Sequence, residues 1–173
     1  ASALVPLRMA GTMTFGSRSA SSTDLTLDGE AKGANVRINA RLDGGPGGWR
    51  SGPAEITATV EGSDAAMVTA LLIPGGGSSR TDSQGPGRIL FKAGGVPSEG
   101  LTSLATLEAG DIAMNFRGQL VTADRGNKVS GDLEFKSADG SRLAALAGLA
   151  PPLNLDGLPI SGTLRLAAAG GTL

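Results

Sequence analysis

The side chains that could carry chemistry in this chain are its carboxylates. Three pairs stand at even spacing within alternating runs: Asp24 with Asp28, Glu55 with Glu61, and Asp132 with Glu134. Two carboxylates can divide acid and base work between them when one is held protonated and the other charged. Even spacing along an extended chain puts both members on one face, here the polar one. That makes them solvated charges rather than a catalytic pair, with Arg37, Arg41, Arg117 and Lys136 as the balancing cations. The chain contains no His, Cys or Tyr. The commonest general base, thiolate chemistry and disulfides are therefore excluded, and ordinary zinc or iron sites are not expected. No catalytic residue, cofactor or metal is assigned, and the chain does not read as an enzyme.

The remaining motifs are weak. "PGGGSSRTDSQGPG", residues 74–87, has glycines but lacks the Lys and the following helix pattern of a phosphate loop. It reads as a mobile Gly/Ser/Pro loop. "TADRGN" and "SADGS" set acidic and polar residues at turns without the spaced acidic series of a calcium loop. A hairpin turn or a helix cap is the expectation there. Trp49 is the single Trp, in "GGPGGWRSG". A loop Trp can meet a ligand or a membrane interface, but plugging a sheet edge or packing under its own loop is favoured.

Composition narrows the partners. The net charge of −1 gives no electrostatic reason to expect nucleic acid. Aromatic residues make up only 3%, with 28 Gly and 9 Pro, so the chain turns often and builds its core from Leu, Val, Ile and Ala. The most apolar run, "LAALAGLAPPL", is broken by two prolines and falls well short of the roughly 20 residues of a membrane-spanning helix. "ASALVPLRMAG" lacks the pattern of a signal peptide. A start without Met and an end in mid-pattern suggest a piece of a longer protein.

The elements that must position these residues are strands. In "NVRINARLDG", Val36, Ile38, Ala40 and Leu42 alternate with Arg37, Asn39, Arg41 and Asp43. That is a half-buried strand with a solvent face. "AEITATVEG", "DIAMNFRGQL", "VSGDLEFKS" and "PISGTLRL" repeat the alternation; "RMAGTMTFG", "TDLTLDGEA", "GRILFKAG" and "LATLEAG" are weaker versions. "DGEAKGAN" and "ADRGNK" read as hairpin connections and "DGGPGGWRSGP" as a longer loop. Two short helices are predicted. One spans Asp64–Ile73 with Ser63 as N-cap and Pro74–Gly75 as the stop. The other spans Ser141–Leu149, started by "ADG" or Ser141 and stopped by Pro151–Pro152. Helices so short must dock on something, and Leu143, Leu146 and Leu149 suit a sheet.

The strand-then-helix move occurs twice. Aligning Ile56 with Leu133 also aligns Pro74 with Pro151, both 77 positions apart, and divides the chain into two weak repeats, 9–74 and 88–166. The expected fold is mainly β: repeated antiparallel hairpins forming a curved, one-sided, groove-like sheet with two short helices docked on it. Its inward row would hold Val36, Ile38, Ile56, Val60, Ile112, Met114, Leu133 and Phe135.

The strings "LTLDGEAKGANVRINARLDGG", "GDIAMNFRGQLV", "VSGDLEFKSADGSRLAALAGL" and "LPISGTLRLAAAGG" resemble the AsmA-like envelope proteins of Gram-negative bacteria. The resemblance runs from about Thr23 to Ala168 and rests on strand–Gly–strand hairpins and strands leading into a Leu-spaced helix. It implies one segment of a large periplasmic protein, tethered to the inner membrane elsewhere. Like the bridge-like lipid-transfer proteins, such a protein carries phospholipid in an apolar β-groove or supports outer-membrane assembly. The eight inward residues would then face lipid, acyl chains would be the partner, and the membrane would be met through parts outside this chain. A non-catalytic structural β-module of a secreted or surface protein, such as an adhesin or passenger scaffold, is the alternative.

Overall fold

The computed structural model describes residues 7–16, 22–44, 48–72, 85–123, 126–146 and 155–169. The nine alternating runs form nine strands: β1 (Leu7–Gly16), β2 (Ser22–Ala31), β3 (Ala34–Asp43), β4 (Ala54–Gly62), β5 (Gly87–Val96), β6 (Gly100–Ala109), β7 (Ile112–Ala123), β8 (Gly126–Ser137) and β9 (Ile160–Ala169). They lie in one sheet in chain order, β1 to β9, every neighbouring pair antiparallel. Helix α1 (Ala65–Leu72) interrupts the β4–β5 connection, and α2 (Gly140–Leu146) the β8–β9 connection.

Tight turns set the register. Lys32 (φ 51°) and Gly33 (φ 84°) both occupy the left-handed region, as a two-residue hairpin turn of type I′ demands. The strands thus run closer together than "DGEAKGAN" suggested, with Ala31 paired directly to Ala34. Gly110 (φ 61°) with Asp111 makes the turn between β6 and β7, where Ala109 pairs with Ile112. Strand β6 begins at Gly100, earlier than its apolar alternation shows, because pairing to β5 carries it through Thr102 and Ser103.

Register places every alternating run in phase. One cross-strand row reads Val36, Val60, Ile89, Leu107, Met114, Phe135 from β3 to β8. The next reads Ile38, Ala58, Phe91, Ala105, Phe116, Leu133, and ends on Leu164 of β9. The charged residues fill the opposite face. The period of two makes this strict: a slip of one residue in any pairing would turn that strand's apolar set outward.

Both helices sit at one end of the apolar face. Helix α1 presses Ala65 and Val68 onto a cluster with Leu107, Ala109 and Ile112. Gly87 permits this approach: a Cβ there would lie 2.8 Å from Val68 and 2.9 Å from Ala65. The N-cap of α1 is Asp64, not Ser63: Asp64 Oδ1 accepts from the Ala66 amide at 2.8 Å. The carboxylate reaches the amide two residues on, and it also favours the positive end of the helix. At the other end of α1, Lys32 Nζ donates to the Ala70 carbonyl at 2.7 Å. Helix α2 starts at Gly140, one residue before the prediction, with Asp139 accepting from the Ser141 amide at 3.0 Å and hydroxyl at 2.7 Å. The proline stops of both helices, Ile73, residues 147–149 and most of the 74–87 loop lie outside the described residues. The two capping residues, Asp64 and Asp139, stand 75 positions apart, and Ala58 and Leu133 share a cross-strand row at the same offset. Counted from the caps, the offset between the two strand–helix units is 75, against 77 for the alignment of Ile56 with Leu133.

Candidate functional site

The polar face holds all six candidate carboxylates, every one exposed. Cations meet three of them across the strands: Arg37 Nε lies 2.6 Å from Asp28, Arg88 Nε 3.3 Å from Glu61, and Arg165 Nε 3.3 Å from Asp132. Arg37 is the partner the sequence named; Arg88 and Arg165 supply what was expected of other cations. These are solvated pairs worth little stability each. A shallow depression of about 490 Å³ on this face is lined by Asp28, Asn35, Arg37, Thr59, Glu61 and Arg88, whose charges already face one another. Among the described residues no three acidic side chains gather as metal ligands. Trp49 does not plug the sheet edge: it is 38% exposed, with the Arg50 guanidinium 5.3 Å from its ring centre.

One polar cluster is built with more care. Asp111, in the β6–β7 turn, reaches the start of α2. Its Oδ2 accepts from the Ser137 hydroxyl at 2.9 Å and from the amides of Ala138 and Asp139 at 3.0 and 3.2 Å; Oδ1 accepts from Arg142 Nη1 at 2.8 Å. Partial burial pushes the Asp111 carboxyl up, but the hydrogen bonds from Ser137 and Arg142 outweigh it and hold the group below its ordinary range. The hydrogen bond from Ser141 does the same for Asp139. The cluster is structural: it ties the helix to a hairpin on a neighbouring strand. "SADGS" is thereby a helix cap, as its turn residues suggested. Asp111 was not foreseen, because its partners lie 26 or more positions away in the chain.

The apolar face is the feature without a structural explanation over its whole extent. The eight residues assigned to it all lie on it, in four different situations. Val36, Val60, Met114 and Phe135 share one cross-strand row. Val60 and Met114 in that row pack against the helix-capped cluster. Ile38 and Leu133 lie in the next row, half-buried. Ile56 joins a second cluster at the far end, around Ala54, Ala93 and Leu101. Ile112 is 1% exposed beneath the helices and forms core rather than open surface, a correction to its assignment.

Between the two clusters Ile38, Phe91, Phe116 and Leu133 are half-buried; among the described residues Phe91 packs against the second cluster, Leu133 borders α2, and Ile38 and Phe116 lie between. Beneath α2 the face dips into a cleft of about 270 Å³, lined almost wholly by apolar atoms of Met114, Leu133, Phe135, Leu143, Ile160 and Leu164. Ile160, Leu164 and Leu143 were legible as inward or docking residues but not as parts of one site, because the helix that roofs it folds back from the chain's later third.

No family model matches the chain, and neither a curated protein nor a solved structure is significantly similar to it.

Proposed function

We propose that this chain is a lipid-handling segment of an envelope protein, its apolar β face holding phospholipid acyl chains. The carrying observation is the phase of the rows: apolar side chains stand in register from β2 to β9 while the helices cover only one end. An open apolar strip of this kind is unfavourable in water and marks an interaction surface. Each buried methylene contributes about 0.8 kcal/mol, so an acyl chain lying along Ile38, Phe91, Phe116 and Leu133 is held without any head-group contact. The chemistry of such a site needs no catalytic residue. The resemblance of the quoted sequence strings to AsmA-like proteins supports the same reading, on which the segment would lie in the periplasm and be tethered to the inner membrane by other parts of the protein.

The structural-module reading also has an observation in its favour. The Phe116 ring lies where side chains at Gly118 and Gly131 would stand, and Phe135 lies 2.7 Å from where a Cβ at Gly162 would be. Rings laid over glycines fill part of the face from within. Photo-crosslinking separates the two readings. Crosslinkers at Ile38 and Leu133 capture phospholipid in cells if the strip is a lipid site, and those at Arg37 and Glu134 on the opposite face do not. Equal capture at all four positions, or none at any, sinks the lipid reading and leaves the self-filled module.

A further inference from the structure

The cleft beneath α2 is roofed by Leu143 and Ala144 and floored by Met114 of β7 and by Leu133 and Phe135 of β8. Ile160 packs against Gly140 and closes the cleft at the start of the helix; a Cβ on Gly140 would collide with the Ile160 side chain. Toward the middle of the sheet the cleft continues through Leu133. That residue belongs both to the cleft and to the row that runs on through Phe116 and Phe91 to Ile38. The floor strands β7 and β8 are each paired on both sides, so the cleft does not depend on what stands beside β9.

Chemistry and size select what can enter. The described lining carries no charged, hydroxyl or amide side chain. A polar group there would lose its water without gaining a hydrogen bond. Apolar cavities smaller than this one stay dry and take up hydrocarbon. At about 270 Å³ the cleft falls just below the roughly 300–1,000 Å³ of pockets that enclose a drug-sized ligand. It is too small for a whole phospholipid, and it suits the last carbons of one chain.

We infer that the cleft under α2 seats the methyl end of a bound acyl chain and so fixes the direction in which the lipid lies, tail end at β8 and polar end toward β3. The inference rests on the lipid reading proposed above. Its length can be checked against the sheet. A hydrocarbon core about 30 Å thick gives the chains of each leaflet about 15 Å, roughly three strand spacings of about 4.8 Å. A chain seated at Leu133 and Phe135 on β8 therefore reaches at least β5. Its polar end then stands over Phe91 or beyond it, toward Ile38.

Two palmitate analogues test the direction on the purified 173-residue chain, one with a diazirine at the methyl end and one with a diazirine beside the carboxylate. After illumination, peptide mass spectrometry locates the adducts. The methyl-end probe should label Leu133, Phe135 and Leu143 several-fold more than Phe91 and Ile38, and the carboxylate-end probe should show the reverse preference. Leu164→Trp, at a half-exposed position on the rim of the cleft, should cut methyl-end labelling of Leu143 several-fold while the far-ultraviolet circular dichroism stays that of a β-sheet. Leu143→Trp, which fills the cleft from above, should cut the labelling of Leu133 and Phe135 in the same way. Equal labelling of both regions by both probes overturns the inference, as does carboxylate-end labelling concentrated under α2. Labelling of Phe116, Phe91 and Ile38 with none under α2 by either probe also overturns it and leaves the lipid reading standing. No labelling of the apolar face by either probe sinks the lipid reading and this inference with it.

Discussion

Replacing Asp111 by Ala removes the carboxylate that joins the β6–β7 turn to α2. Four donors point at it, and hydrogen bonds to a charged group contribute about 1.5–3 kcal/mol each. Their sum is not the expected loss, because the donors have second partners. Ser137 Oγ, which has one proton, can turn it instead to the Asp139 carbonyl at 2.8 Å, and the Asp139 amide also reaches Ser137 Oγ at 3.1 Å. Arg142 keeps Asp139 at 3.6 Å, and the Ala138 amide is exposed and turns to water. The net cost should be about 2–3 kcal/mol, or roughly 5–10 °C in melting temperature for a chain of this size. Urea unfolding followed by circular dichroism measures it. The pH dependence provides the stricter check. The folded-state pKa of Asp111 is lowered, so its contribution is fully present above the unfolded value of about 3.9 and is lost as pH falls through the folded value. The gap between wild type and Asp111→Ala should therefore be constant from neutrality down to about pH 5 and close below about pH 4. A gap under about 0.5 kcal/mol at pH 7, within the noise of surface substitutions, would refute the anchoring role, and so would a gap that does not shrink in acid.

Three further substitutions probe how the helices and faces are held. Gly87→Val should destabilise the protein by about 1–3 kcal/mol by lifting α1 off the sheet, whereas Gly94→Ala, whose Cβ meets only Ala54 O at 3.9 Å, should be neutral or slightly stabilising; equal losses in thermal unfolding would mean that α1 does not depend on that close approach. Lys32→Ala should cost about 0.5–1.5 kcal/mol by freeing the Ala70 carbonyl, with Lys32→Arg largely restoring it, as urea titration would register. Ile112→Asp should leave little folded protein, at about 4 kcal/mol or more, while Arg37→Ser should leave folding nearly unchanged; similar yields of soluble, folded protein from the two would invert the assignment of faces.

The strands were legible because period-two alternation is a local signal. Val36–Ile38–Ala40–Leu42 and Glu55–Thr57–Thr59 declare their faces without knowing their neighbours. Antiparallel pairing followed where the connections are short and bear Gly, as at Lys32–Gly33 and Gly110–Asp111, which leave a strand no choice but to pair with the next. What stayed hidden depends on contacts across the sheet. Ser63 and Asp64 are both good caps by type, and only the turn geometry chooses the carboxylate. Ile112 has the same alternation as Ile38, yet one lies under α1 and the other on open face, because helix placement is decided by Gly62 and Gly87 approaching Val68. Asp111 looks like any turn residue until β8 and α2 arrive beside it. The apolar face was therefore readable from alternation, and the division of that face into core, cleft and open strip was not.

That division bears on what the face can do. A one-layer sheet with both faces wet is not stable by strand pairing alone; it needs apolar contact on one side. This chain supplies such contact at the two ends: α1 and the Leu107–Ile112 cluster at one, and Ala54, Ala93 and Leu101 at the other. The far end is further tied by the Ser98 amide on the Arg50 carbonyl at 2.9 Å and the Thr122 amide on Pro97 at 2.9 Å. With both ends fixed, the middle row need not be filled for the sheet to hold its shape. On the proposed lipid reading, Ile38 and Phe116 would exchange water for an acyl chain while the buried residues of both clusters stay in place. A self-filled module would gain by putting large residues at Ala58 and Ala105, on either side of Phe91 in that row. The chain instead places alanines on both sides of Phe91 in that row. Filling it, with Ala58→Leu and Ala105→Leu together, should raise the midpoint of urea unfolding and abolish lipid capture at Ile38. If stability rises while capture is undiminished, lipid is held somewhere other than this strip.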